Sequence, residues 1–268
     1  MASQLDRHWL ASALVAALAL GASACGEATP EAAPEELSDP GPRDAAFDQA
    51  LSFDGVDDYV SIGTARMPQI EREQTLMFWF LPKPARDPQR DDELQAMFSL
   101  RRSDWSGVTL GLRAAVPLVS NVYSGKDVVV AASAVALDEW HHLAVVLQPN
   151  SSELFIDGVS VAKGAAPGQN RTPIEAYAGM ADGYREPFHG LLDELQVYPR
   201  SYSAAQIADV AAGIRTSELD PPVLYLSFNE ASGARCYDRS GLSNHGELGD
   251  GVAELMPRRA PSAVPRQP

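Results

Sequence analysis

Asp193 is the residue whose setting most demands a chemical explanation. In residues 188–200, FHGLLDELQVYPR, a period of two puts Leu191, Asp193, Leu195 and Val197 on one side. Leu192, Glu194, Gln196 and Tyr198 fall on the other. Three aliphatics on one side predict a strand with a buried inner face. A carboxylate on that face costs several kcal/mol unless hydrogen bonds or a cation compensate it. Asp193 and Glu194 fall on opposite faces, so they do not make the pair of carboxyls about 5–5.5 Å apart that retaining glycoside hydrolysis needs.

The remaining chemistry-bearing residues are more scattered. His141 and His142 are adjacent on a predicted strand and face apart, which disfavours joint metal ligation and predicts one core and one surface imidazole. His189 and His245 sit in predicted loops without a partner at a metal-binding spacing. No Gly-rich phosphate loop follows a strand, and no Ser-His-Asp order emerges from the spacing. Trp105, Tyr123, Tyr177 and Tyr184 lie in or near predicted loops. Aromatic faces beside Arg or Asn are what sugar sites use, and core packing or loop anchoring is the competing role. Trp105, Tyr123 and Tyr184 are the candidate ligand contacts.

The elements that must position these residues are mostly strands. ALSFDGVDDYVSIG reads as a hairpin turning at Asp54-Gly55, and SELFIDGVSVAKG as one turning at Asp157-Gly158. QTLMFWFL is apolar almost throughout and predicts a central strand covered on both faces. AMFSL, GVTLGLR, VPLVSNVYS, DVVVAASAVAL and EWHHLAVVL follow as further strands. After the DELQVY strand, Pro199 ends the ladder. Ser203 with Gln206 then forms a capping box, and a short helix ends near Gly213.

A chain of 268 residues fits one large all-β domain with extensions. Its 36 acidic against 21 basic residues argue against nucleic-acid binding, which needs a basic stripe. Residues 1–24 read as a signal peptide: Arg7 and His8 precede an apolar run too short to span a bilayer, followed by small residues. Small residues directly before Cys25 resemble a bacterial lipobox, with simple secretory cleavage after Ala24 as the alternative. Lipidation at Cys25 would leave Cys236 an unpaired thiol. Gly26 rather than Asp after Cys25 favours the outer membrane. Residues 25–45, rich in Pro, Glu and Ala, predict a disordered tether.

Several of these strings resemble one family. F-D-G-x-x-D-Y-V at Phe53, W-H-H-L-A at Trp140, L-F-I-D-G at Leu154 and G-x-L-D-E-L-x-V-Y at Gly190 resemble the LamG-like jelly-roll domains. Those belong with the concanavalin A-like, laminin G and pentraxin sandwiches. Residues 221–249, PPVLYLSFNEASGARCYDRSGLSNHGELG, resemble a segment that precedes such domains in many relatives. Here that segment follows the domain of residues 46–220 and is expected to pair back onto it, leaving 250–268 as a tail.

The resemblance implies an all-β, two-sheet antiparallel jelly-roll sandwich with one short helix after the DELQVY strand. It also implies a structural Ca²⁺ tying the first hairpin to the closing strand, through Asp54, the Gly55 carbonyl and Asp193. The alternative for these residues is that Asp54 stabilises its turn and Asp193 accepts backbone N–H bonds. Hydrolytic relatives carry E-x-D-x-E or E-x-D-x-x-E on one strand, and no such string occurs here. The expected function is a non-catalytic, envelope-anchored binding or adhesion module for carbohydrate or a surface protein, in contact with the membrane only through its N-terminal lipid. A structural scaffold without a sugar site and a divergent glycosidase are the alternatives.

Overall fold

The hairpin expected at Asp54-Gly55 does not form: β1 (Gln49–Asp54) and β2 (Val60–Ile62) share no ladder, and the first turn instead carries the chain from one sheet to the other. The continuous apolar run becomes β3 (Gln74–Pro82), followed by β4 (Gln95–Arg101), β5 (Gly107–Arg113), β6 (Val116–Asn121) and β7 (Lys126–Val130). Next come β8 (His141–Gln148), β9 (Ser151–Ile156), β10 (Val159–Gly164), β11 (Glu175–Ala178) and the closing strand β12 (His189–Tyr198). A helix α1 (Ala204–Ala211) precedes four short strands: β13 (Leu224–Leu226), β14 (Arg235–Cys236), β15 (Gly246–Leu248) and β16 (Arg258–Pro261). This is a computed structural model, and it describes residues 48–69, 72–101, 107–121, 126–167, 173–183, 185–214 and 219–264. The signal peptide, Cys25, the tether, Trp105, Tyr123 and Tyr184 lie outside the described residues.

Two antiparallel sheets make a sandwich. The first has the order β10-β9-β8-β3-β12-β1-β16, with β13 also paired to β12, and the second β14-β15-β2-β11-β4-β5-β6-β7. Period-two alternation explains the core between them: Val108, Leu110 and Leu112 of β5 face inward against Leu76, Phe78 and Phe80 of β3 and Leu143, Val145 and Leu147 of β8. β3 is apolar from Leu76 onward because it is covered twice. Its other face, with Met77, meets Ile207 and Val210 of α1 in a second apolar cluster.

The helix starts where its cap chemistry places it. The Ser203 hydroxyl accepts the Gln206 N–H at 3.3 Å, while the Gln206 side chain accepts the Ser203 N–H at 2.9 Å. Gly213, at φ +72°, ends the helix in the left-handed region. In the β9–β10 turn Gly158 also has φ +78°, and a Cβ there would meet the Ala208 backbone of α1 at 2.8 Å. Glycine is required at that point for two reasons.

The closing strand departs from simple alternation. Leu192, Leu195 and Val197 enter the core, but Asp193 lies opposite Trp79 on the outer face of the first sheet. The shared face expected for Leu191, Asp193, Leu195 and Val197 is therefore corrected. A β-bulge between Asp193 and Gln196, with Glu194 at φ +53°, shifts the phase by one residue. The bulge sits where β12 changes partner on one edge, from β1 (Leu51 opposite Leu192) to β13 (Leu226 opposite Leu195).

The residues after α1 complete both sheets. β13 pairs with β12, β15 with β2, and β14 with β15. Asp238 organises the turn among them: it accepts the N–H groups of Tyr225, Ser240 and Asn244 and the Ser240 hydroxyl, at 2.7–2.9 Å. Residues 250–268 are not simply a tail, because Arg258–Pro261 forms β16 along the free edge of β1. Among the described residues no helix is long and apolar enough to cross a membrane.

Candidate functional site

The acidic pair of the closing strand is a fastening. Asp193 is fully buried; its Oδ1 accepts the Glu194 N–H at 2.8 Å and its Oδ2 accepts the Ser262 hydroxyl at 2.5 Å. Glu194 accepts the Tyr225 hydroxyl at 2.6 Å. One carboxylate thus ties down the chain just beyond β16, and the other ties down β13. Hydrogen bonds from within the chain supply the compensation that a buried carboxylate requires.

Asp54 is elsewhere. It pairs with His189 while Leu51 pairs with Leu192, so Asp193 lies four residues further along the ladder, about 13 Å at the usual strand rise. The Ca²⁺ site expected from Asp54, Gly55 and Asp193 together is therefore not formed, because the register separates its two carboxylates. Asp54 instead shapes its own turn, accepting the Val56 N–H at 2.8 Å, and faces Arg86 at 3.4 Å. Its neighbours are Asp57 and Asp58, and carboxylate oxygens of the three residues lie within 4.8 Å of one another. Asp58 is buried and accepts the Asp54 N–H at 2.8 Å; burial, with Asp54 and Asp57 adding repulsion, pushes its carboxyl up to about 6. Gly55, at φ +76°, lets this turn approach His189, whose Cβ would lie 2.8 Å from a Cβ at position 55.

The two adjacent histidines divide as their alternation requires. His142 is buried edge-on to Trp79, and desolvation pushes its imidazole down to about 4. His141 is held by Asp157 at 2.8 Å, which raises its pKa, and Asp157 also accepts the His142 N–H at 2.8 Å. These contacts latch the β9–β10 turn to the start of β8. His189 bonds the Pro84 carbonyl at 2.7 Å, and His245 accepts the Asp238 N–H at 3.0 Å. Cys236 is buried and has no disulfide partner among the described residues, and burial raises its thiol pKa.

Charge concentrates on the outer face of the second sheet. The inward residues of β4, β5 and β6 leave Ser99 and Arg101, Thr109 and Arg113, and Ser120 on the opposite side. Arg101 has a side chain only 5% exposed; it lies 3.5 Å from Glu175 and 3.5 Å from Asp182, itself 1% exposed. Arg185 closes a further ion pair with Asp182, and Arg113 with Asp127. Residues 179–183 and 185–188 lie over this face, secured by Ser99, whose hydroxyl donates to the Ala181 carbonyl at 2.6 Å. Between loop and sheet is a cleft of about 70 Å³ lined by Arg101, Thr109, Arg113, Ser120, Asn121 and Arg185, among others. Beside it the buried Oδ1 of Asp127 accepts no hydrogen bond among the described residues.

Such a floor of fixed guanidinium, carboxylate, amide and hydroxyl groups suits a ligand rich in hydroxyls. The predicted contacts Trp105, Tyr123 and Tyr184 lie outside the described residues, and their segments are each flanked on one side by a cleft residue: Arg101, Asn121 and Arg185. Tyr177, on β11, stands edge-on to Tyr59 with ring centroids 6.1 Å apart, and the Tyr59 hydroxyl donates to Asp250 at 2.9 Å. The polar alternation in GVTLGLR (Thr109, Gly111, Arg113 against Val108, Leu110, Leu112) is the sequence signal for this face, and isolated aromatics do not report it.

Comparison with known proteins bears on the fold. A family model described as the concanavalin A-like lectin/glucanases superfamily matches residues 54–208, from the first turn into α1. No curated protein matches the sequence. A Bacteroides ovatus ATCC 8483 protein provisionally described as carbohydrate binding is similar in structure, with a TM-score of 0.58 and 15% identity. That similarity covers 81% of this chain and 61% of the other, so the chain spans less than two thirds of that relative's length. The heptameric SAP-like pentraxin of Limulus polyphemus is 15% identical with a TM-score of 0.48, covering 68% of this chain and 93% of its own.

Proposed function

The chain belongs to the concanavalin A-like lectin/glucanases superfamily, and from that premise we propose that it is a non-catalytic carbohydrate-binding module. The observation that carries this reading is the cleft on the second sheet. A strand face that only needed solubility would carry exposed, mobile charges. Here Arg101 and Asp182 are held almost completely buried beside a cleft, and one Asp127 oxygen accepts no hydrogen bond among the described residues. Burying charge this way is costly, and a ligand whose hydroxyls complete the network offsets part of that cost. Each arginine of the cleft already faces a carboxylate, and the chain carries a formal charge of −15. A neutral sugar therefore fits better than a polyanionic one.

Non-catalysis is supported by the state of the closing-strand acids. Asp193 and Glu194 are buried and committed to Ser262, Tyr225 and the backbone, out of reach of a glycosidic bond. The module is held at a bacterial envelope through lipid on Cys25, a reading that rests on the small residues before that cysteine. Replacing Cys25 with Ala should move the protein out of the membrane fraction; an unchanged membrane fraction would remove the anchor.

The deciding experiment is a glycan array with the purified protein, followed by calorimetry on the retained sugars. Arg113→Ala and Asn121→Ala are expected to weaken binding at least tenfold, about 1.4 kcal/mol, without release of reducing ends from the bound polymer. Retention unaffected by either change would place the ligand elsewhere, and retention of no glycan would remove the reading.

A further inference from the structure

A second cleft, of about 260 Å³, opens between the first turn, residues 85–95 and the entry to β12. Its polar rim includes Arg86, Arg90, Gln95 and His189, and Leu94 and Pro187 supply apolar wall. The His189 ring is fixed by its bond to the Pro84 carbonyl, and the Gln95 side-chain oxygen accepts the His189 N–H at 3.1 Å. Both polar groups are therefore held in place before any ligand arrives.

This cleft adjoins the one on the second sheet. Leu94 lines both, and of the consecutive residues Glu186 and Pro187 one lines each. The dividing wall is stitched by the Ala96 N–H donating to the Glu186 carbonyl at 2.8 Å. From Gln95 at one end of β4 to Arg101 at the other is six residues, roughly 20 Å at the strand rise. That is longer than a single sugar. Fixed planar donors and acceptors in both clefts, with the apolar Leu94 where the two meet, match a chain that alternates hydroxyl edges with C–H faces.

We propose that the two clefts are subsites of one groove, and that the ligand is an internal stretch of a glycan several units long rather than a chain end. This rests on the carbohydrate-binding reading above and adds the first-turn cleft to it. The test is affinity electrophoresis of the full protein in gels containing arabinan, galactan, xylan or mixed-linkage β-glucan. Calorimetry then follows with the two- to six-unit oligosaccharides of whichever polymer retards it.

Wild-type affinity is expected to rise at least tenfold from the two-unit to the six-unit ligand. Arg86→Ala and Arg90→Ala, both at exposed side chains, should remove most of that rise while leaving the two-unit ligand within twofold. Arg113→Ala should weaken every length alike. Affinity that does not grow with length, or losses equal at all lengths, would overturn the groove while leaving sugar binding intact. Failure of the wild type to bind any of the four polymers would remove the carbohydrate reading and the groove with it.

Discussion

The closing strand and the outer face of the second sheet both bury carboxylates, and they differ in what completes them. On β12, Asp193 and Glu194 find donors within the chain: a backbone N–H, the Ser262 hydroxyl and the Tyr225 hydroxyl. On the second sheet, Asp182 is shared between Arg101 and Arg185, and Asp127 meets Arg113 with one oxygen while the other accepts nothing among the described residues. Burial of a charge is thus a poor marker of a site. The informative property is whether the protein itself exhausts the hydrogen-bonding capacity of the group.

Asp193 is where the two regions should separate most sharply. Asp193→Ala strands the Glu194 N–H and the Ser262 hydroxyl, and should cost about 4 kcal/mol. In a domain of this size that lowers the melting temperature by roughly 8–16 °C. Calorimetry at 20 °C should find sugar affinity unchanged. Loss of binding in a variant that remains folded would mean that the two regions are not separate.

Next is acid, which should act on the first sheet through His142. Its folded pKa, about 4, lies below the usual 6.5, so the unfolded chain binds the proton more readily. The stability that neutral His142 contributes is therefore full above pH 6.5 and lost as pH falls toward 4, about 3 kcal/mol in all. Asp58, raised to about 6, works the opposite way, its stability falling as pH rises from 4 to 6. The readout is consequently the difference between wild type and His142→Phe in urea melts from pH 4 to 7. A difference that does not change with pH would show that His142 is hydrated in the native state.

Smaller, and on the other side of the comparison, Arg113→Ala should reduce sugar affinity about tenfold and change the melting temperature by no more than about 4 °C, since its partner Asp127 is only partly buried. A large stability loss with intact binding would turn the second-sheet face into another fastening. Smallest is chelation. With Asp54 and Asp193 separated along the ladder, no single ion staples the first turn to the closing strand. EDTA should leave the melting temperature within about 1 °C, against roughly 5–10 °C for a stapling ion. A larger shift abolished by Asp57→Asn would place a cation in the Asp54, Asp57 and Asp58 turn.

Much of the fold is legible in the chain because it follows from period, turn chemistry and caps. The Asp157-Gly158 turn, the capping box at Ser203 and the doubly covered strand at Leu76 each have a local cause, and each appears where that cause lies. The faces of β12 are not legible, since its bulge answers to a change of partner from β1 to β13 that alternation within one strand cannot encode. β16 was equally hidden: RRAP has no apolar period, and it pairs because β1 offers a free edge. The cleft was half legible. Thr109 and Arg113 show a polar face in sequence, but only the fold brings Asp182 and Arg185 over it.

The pairing of β1 with β16 also determines how the domain bears load. Gln49 lies opposite Pro261, and the Ser262 N–H donates to the Asp48 carbonyl at 3.1 Å, so the two ends of the sandwich leave it side by side. Tension applied between those ends pulls antiparallel neighbours apart from the same end and loads their hydrogen bonds one after another, like a zip. Tension between residue 48 and a glycan held on the second sheet is different. Any component of it along the strand axis would pull β1 past β12 and β16 in shear, so that many bonds share that load at once. If the domain is tethered at its start and grips a sugar chain on its far sheet, as proposed, a pull along β1 meets its stronger direction, and a pull across its two ends the weaker one.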